Sequence, residues 1–278
     1  MTPPTASRRQ FLASLAATAA GAGVGAPQVL AVRHPDPEVS APVAMVIDAR
    51  TGRVLYEKNA DEVRPIASTQ KLLTALILCE RGDLRQRLVV QASDVAVEPT
   101  RLGLKVGQSY GRGYLMQAML VKSCNDVAHA LGRDYAGTEA RFGQVMTARA
   151  ARLGCRSSRF LNASGLPAPG QRSCARDLAL ISRAAYLVPV IRQIVRLEML
   201  PFRYSDGRQI TLQTTNKLMK QCPYVTGMKT GFTKAAGKCL VSSGATGNRH
   251  VIAIILGSSS KYIWNESQSL IDFGLSIV

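Results

Sequence analysis

A chain of 278 residues with 46% hydrophobic and 5% aromatic residues is long enough for one sizeable core or two lobes and reads as globular. Its formal net charge of +17 would suit nucleic acid, but no nucleic-acid motif is present and the N-terminus reads as an export signal, so an anionic cell-wall polymer or lipid surface is the expected electrostatic partner. The three histidines, His34, His129 and His250, form no cluster and the six cysteines fit no zinc spacing, so neither a metal nor an organic cofactor is expected.

The export signal comes first. Ser7-Arg8-Arg9-Gln10-Phe11-Leu12 has the twin-arginine form, Phe11 to Gly25 is a weakly apolar Ala/Gly-rich core, and Val29-Leu30-Ala31 offers a small-residue cleavage site. Residues 1–31 are therefore expected to leave as a signal peptide, with an uncleaved anchor as the alternative. Residues 32–278 would then act in the periplasm as a single catalytic domain. No later segment has the roughly 18 consecutive apolar residues of a membrane span.

Strands are expected at about 43–48 and 53–57, ahead of Pro65-Ile66-Ala67. The apolar run from Ser68 to Leu78 predicts a buried helix of about 12–14 residues, with Ser68 in its first turn and Lys71 one turn on, on the same face. A serine hydroxyl needs a base, and a neutral lysine amine at this spacing can serve. Burial, the helix N-terminus and a second lysine would all push the Lys71 pKa down. Taken alone, the pair also reads as an N-cap serine followed by a surface lysine.

Tyr114 to Val121 and Val127 to Leu131 are apolar at helical spacing. Between them Ser123-Cys124-Asn125 predicts a short connector, because Ser and Asn interrupt helices by bonding their own backbone. Phe142, Val145, Met146, Ala150 and Leu153 share one helical face closed by Gly154, and Asp177 to Leu187 gives another helix. Cys79 and Cys239 lie in apolar runs and read as small hydrophobes, while Cys155 and Cys174 flank one loop region where an oxidising compartment would permit a bridge. His129 reads as packing or a surface tip.

Tyr224 to Phe232 alternates like a strand, with Lys229 near its end. Lys238 to Ser243 and His250 to Leu256 continue an antiparallel meander through the turn Gly247-Asn248, and a helix spans roughly Ile263 to Phe273. The expected fold class is α/β (α+β): an antiparallel β-sheet covered by helices (about 41–71 and 220–278), with an inserted, mostly helical lobe (about 72–219). The small-ligand site is expected in the cleft between them.

Ser68-Thr69-Gln70-Lys71, Ser123-Cys124-Asn125 and Lys229-Thr230-Gly231 occur in the order S-x-x-K, S-x-N, K-T-G. With them stand Asp48-Ala49-Arg50-Thr51-Gly52, Leu102-Gly103-Leu104-Lys105-Val106-Gly107, Gly165-Leu166-Pro167-Ala168-Pro169-Gly170-Gln171, Asn216-Lys217-Leu218 and Asn265-Glu266-Ser267. From about Ala41 onward the chain resembles the low-molecular-mass penicillin-binding proteins that act as serine D-alanyl-D-alanine carboxypeptidases, whose fold is β-lactamase/transpeptidase-like. The resemblance implies that Ser68 is the acyl-ester nucleophile and Lys71 its base, and that Ser123 and Asn125 handle proton transfer and the substrate amide. It implies that Lys229 and Thr230 bind the terminal carboxylate, that Gly231 permits close approach, and that the N–H groups of Ser68 and Phe232 form the oxyanion hole. Peptidoglycan stem peptides are the implied substrates and β-lactams the implied covalent inhibitors. Cys124 departs from the usual Gly or Ala, and the chain stops at Val278, so no C-terminal β domain or anchor is expected. A D,D-endopeptidase, a class A β-lactamase (for which no Glu-x-x-Leu-Asn is found) and a non-catalytic wall-binding or β-lactam-sensing module are the alternatives.

Overall fold

Alternation of side chains along three long strands explains the core. In the computed structural model, which describes residues 35–278, Val43, Met45 and Ile47 point to one face of a sheet while Ala44 and Val46 point to the other, and both faces are buried. The signal expected over 1–31 lies outside the described residues. The described residues lie in one compact unit.

In chain order the elements are β1 (Val43–Asp48), β2 (Val54–Lys58), a 3-10 turn (Ala67–Gln70), α1 (Lys71–Arg81), β3 (Arg87–Val89), α2 (Ala92–Val95), β4 (Ser109–Gly111) and α3 (Arg112–Lys122). They continue with α4 (Asn125–Ala136), α5 (Glu139–Arg152), α6 (Ala175–Leu187), α7 (Pro189–Val195), β5 (Met199–Arg203), β6 (Gln209–Gln213) and α8 (Leu218–Gln221). The chain closes with β7 (Val225–Thr233), β8 (Gly237–Thr246), β9 (Arg249–Ser258) and α9 (Ile263–Ile277). The main sheet has the order β2-β1-β9-β8-β7 and every pairing in it is antiparallel, so β7 is an edge strand.

One face of this sheet packs on α9 through Ile255, Leu240, Leu270 and Ile271. The other packs on the helices through Ile252, Ile254, Val241 and Met45. The expected mixed fold, an antiparallel sheet with helices on it, is the one found. Helix limits follow local chemistry: α1 stops at Gly82 in the left-handed region (φ +78), the Thr138 hydroxyl caps α5 by accepting from Arg141 N at 3.2 Å, and Pro189 opens α7.

Five details differ from the sequence reading. The first strand of the meander runs on to Thr233, which puts Lys229 in mid-strand, and α9 continues to Ile277. The span expected to be helical also contains two hairpins, β3–β4 and β5–β6. Within that span α6 and α7 lie against the sheet, because Leu178, Ile181 and Ala185 bury their face in the same core as β9. The six cysteines are free thiols; Cys155 Sγ lies 3.4 Å from Asp177 O, and Cys174 Sγ accepts from Asp177 N, also at 3.4 Å, so both serve the start of α6 instead of bridging. Among the described residues no single helix is long and apolar enough to cross a membrane.

Candidate active site

Ser68 sits in the 3-10 turn that leads into α1, a tighter setting than the first α-helical turn expected for it. The preceding Ala67 has φ +49, a conformation that L-residues adopt only under constraint. Two glycines supply that constraint. Gly165 (φ +87) lies so close that a Cβ there would overlap the Ala67 carbonyl and stand 2.8 Å from Ser68 N. From β7, a Cβ on Gly231 would lie 3.0 Å from both Ser68 N and Ala67 Cβ. Backbone on both sides therefore clamps the turn, and only glycine permits the approach. The Thr69 hydroxyl adds a bond to Ile66 O at 2.6 Å.

Lys71 is fully buried, with Nζ 2.8 Å from Ser68 Oγ, 2.8 Å from Asn125 Oδ1 and 2.6 Å from Ser164 O. Burial, followed by the charge of Lys229, pushes its pKa well below the ordinary lysine value. The partners define what a neutral amine does here. The Asn125 amide nitrogen donates to Glu98 O at 3.1 Å and Pro99 O at 2.9 Å; carbonyls only accept, so Oδ1 must face Lys71. Asn125 Oδ1 and Ser164 O take the two N–H bonds of the neutral amine. The lone pair is left for the Ser68 hydroxyl.

The connector from α3 to α4 has the predicted form. Ser123 is left-handed (φ +69), Cys124 is extended and Asn125 begins α4. Cys124 is completely buried, which pushes its thiol up to about 12 and keeps it a packing group. Ser123 lines the cavity with Ser68.

Lys229 is buried and donates to Thr230 O at 3.0 Å, and burial lowers its pKa to about 7. Thr230 Oγ1 bonds Thr215 Oγ1 at 2.6 Å. The cavity, about 540 Å³, is lined by Ser68, Ser123, Asn125, Thr230, Gly231 and Phe232, so it gathers six of the sequence-predicted residues around one opening; Lys71 and Lys229, both buried, are not in its lining. It also holds Thr215, Lys122 and Lys238, which motif reasoning missed, and Lys217 of the Asn216-Lys217-Leu218 segment, to which no role was assigned. A further missed group is Asn162, whose Oδ1 accepts from Gly165 N at 2.8 Å and Ser164 N at 3.2 Å and so shapes the loop that touches both Lys71 and Ser68.

His129 belongs to another network. Its Nδ1 is 2.8 Å from the buried Asp94, which also binds Arg133 through Nε (2.9 Å) and Nη2 (2.8 Å). Among the described residues no group of His, Cys, Asp and Glu side chains is placed to hold a metal.

The sequence profile of peptidase family S11, described as D-alanyl-D-alanine carboxypeptidase, matches residues 29–260. The chain belongs to this family. It is 33% identical over 249 residues to D-alanyl-D-alanine carboxypeptidase DacB2 of Mycobacterium tuberculosis, covering 87% of this chain and 85% of that one. It is 32% identical over 234 residues to the D-alanyl-D-alanine endopeptidase of Escherichia coli, covering 81% and 74%. Among solved structures, D-alanyl-D-alanine carboxypeptidase from M. tuberculosis H37Rv superposes with a TM-score of 0.84 at 31% identity, covering 89% of this chain and 96% of that one. A point mutant of Streptomyces K15 DD-transpeptidase superposes with a TM-score of 0.81 at 25% identity, covering 87% and 100%. Within this S11 fold the three short motifs meet at the mouth of one cleft.

Proposed function

We propose that this chain is a serine D-alanyl-D-alanine carboxypeptidase that removes the terminal D-alanine from peptidoglycan stem peptides through an acyl-enzyme on Ser68. The observation that carries the assignment of roles is the Lys71 amine, whose two N–H bonds are engaged by carbonyl oxygens and whose lone pair faces Ser68 Oγ at 2.8 Å.

Lys71 takes the Ser68 proton as Oγ attacks the carbonyl carbon of the penultimate D-alanine. The oxyanion develops toward the N–H groups of Ser68 and Phe232, and two oriented donors contribute roughly 3–4 kcal/mol each. The Lys71 proton passes through the Ser123 hydroxyl to the leaving nitrogen, the C–N bond breaks, and free D-alanine departs. Water then attacks the ester with Lys71 again as base, which restores Ser68. Lys229 and Thr230 hold the terminal carboxylate. A β-lactam enters by the same attack and stays as the ester.

Export by the twin-arginine route to the periplasm is proposed on Ser7 to Leu12. Association with an anionic wall or membrane surface is proposed on the excess of 35 Lys and Arg over 18 Asp and Glu. The similarity to the E. coli endopeptidase supports a second reading, cleavage of cross-links by the same residues. Incubation with a pentapeptide ending in D-Ala-D-Ala and with a purified cross-linked dimer tests both. One D-alanine released per pentapeptide supports the carboxypeptidase, dimer cleavage without that release supports the endopeptidase, and neither product refutes both.

A further inference from the structure

Behind the loop that carries Ser164 stands a carboxylate that no step of the reaction uses. The loop ties three helices together. The Ser164 carbonyl accepts from Lys71 at 2.6 Å, the Ala163 carbonyl accepts from the Thr74 hydroxyl of α1 at 2.8 Å, and Ala163 N donates to Glu139 Oε1 at 3.4 Å. Ala163 is completely buried, so Glu139 keeps its N–H from standing unpaired away from water. Glu139 opens α5, and α5 lies hard against the same loop: a Cβ on Gly143, one turn on, would stand 2.8 Å from the Leu161 backbone.

The other carboxylate oxygen, Glu139 Oε2, is 3.7 Å from His129 Nε2. The imidazole belongs to α4, one turn beyond Asn125, and its Nδ1 is 2.8 Å from Asp94 Oδ1 on α2. Arg133 is bound to Asp94 through two nitrogens, so the imidazole is the cationic group left to face Glu139. Burial disfavours the charge on His129, but the bond to Asp94 and the charge of Glu139 outweigh it, and its pKa lies above the ordinary histidine value.

The charge of Glu139 also reaches Lys71. Lys229 on β7 disfavours the Lys71 ammonium, while Cys124, Asp126 and Glu139 favour it. Of these three, Cys124 stays a thiol, and the Asp126 carboxylate is held by the N–H groups of Leu102 and Gly103 at 2.9 Å. Glu139 alone acts on Lys71 in two ways, through its charge and through the backbone of Ala163 and Ser164.

We propose that Glu139 is a positioning residue of the acylation step, which fixes the Ser164 carbonyl against Lys71 from behind while His129 holds the carboxylate in place. This rests on the carboxypeptidase reading, in which Lys71 is the base. The test is the second-order rate of acylation by a fluorescent penicillin, followed down the acid limb of its pH profile, with thermal unfolding in parallel, for wild type, Glu139→Gln, Glu139→Ala and Thr74→Val. Glu139→Gln keeps an oxygen for Ala163 N and removes the charge, so its plateau rate should stay within about threefold of wild type while its acid limb shifts to lower pH, because the Lys71 ammonium loses an anion that favours it. Glu139→Ala should show the same shift and a plateau about tenfold lower, since the loop loses its tie to α5. Thr74→Val cuts the neutral tie to the same loop and should lower the plateau without moving the limb. A carboxylate that serves stability alone would lower the unfolding temperature and leave the limb in place. An acid limb unmoved in Glu139→Gln, or a Glu139→Ala plateau equal to wild type, overturns the proposal while leaving the carboxypeptidase reading standing. A wild type that is not acylated at any pH overturns both.

Discussion

Gly165→Ala probes the geometry of the nucleophile most sharply. The new Cβ would overlap the Ala67 carbonyl and stand 2.8 Å from Ser68 N, and the neighbour is backbone that cannot rotate away. Overpacking of this kind costs about 1–3 kcal/mol, and a left-handed φ of +87 adds about 1–2 kcal/mol for a residue with a Cβ. Relief requires the turn to move, which displaces both the Ser68 hydroxyl and the Ser68 N–H. A displacement near 1 Å costs about a hundredfold in rate. Gly107 is the control: its φ is +84 but nothing lies within 4 Å of a Cβ there, so Gly107→Ala carries backbone strain alone. The assay is the second-order rate of acylation by a fluorescent penicillin, with thermal unfolding measured in parallel. Gly165→Ala should acylate about a hundredfold more slowly than Gly107→Ala. Equal rates in two folded variants would refute the claim that the 165 loop holds Ser68 in place.

Asn125→Ala removes one of the two acceptors that orient the Lys71 amine, and acylation should fall about a hundredfold with circular dichroism unchanged. Because burial brings Lys229 down to about 7, its ammonium is lost in the free enzyme as pH rises through that value; kcat/KM for a peptide with a free terminal carboxylate should fall above pH 7, and the limb should vanish for the corresponding C-terminal amide. Lys71, whose pKa burial and then the Lys229 charge push well below the ordinary lysine value, works in the opposite sense: the base accepts the Ser68 proton only when neutral, so acylation should be lost as pH falls. Asp94, fully buried, is held at about 2 by His129 and Arg133 against the cost of burial. The depression from 3.8 corresponds to about 2 kcal/mol of stability that is present above pH 4 and lost as pH falls through 2; urea titrations should show Asp94→Asn less stable at pH 6 by about 3 kcal/mol and less sensitive to acid.

Much of this architecture is legible because it rests on short-range patterns. The alternation of Val43 to Asp48, the apolar run after Lys71 and the turn at Gly247-Asn248 each specify an element locally. The β5–β6 hairpin carries a local signal of its own: Leu200 and Phe202 alternate with exposed neighbours, and Asp206-Gly207 supplies the turn, with Gly207 at φ +89. Other parts of the site leave no such trace. The second acceptor for Lys71, beside Asn125 Oδ1, is the backbone carbonyl of Ser164, which lies 93 residues away in sequence and is placed by Asn162. A carbonyl belongs to every residue, so only the packed chain reveals it. Thr215 enters the site only because β7 brings Thr230 beside it.

The most direct measurement is the intact mass of the protein after exposure to benzylpenicillin, with the adduct mapped by peptide and the Lys71→Ala variant carried alongside. One penicilloyl group on Ser68 in the wild type, and none on the same timescale in the variant, is the expected outcome. An adduct on another residue, or equal labelling without the Lys71 amine, would contradict a serine activated by a buried neutral lysine.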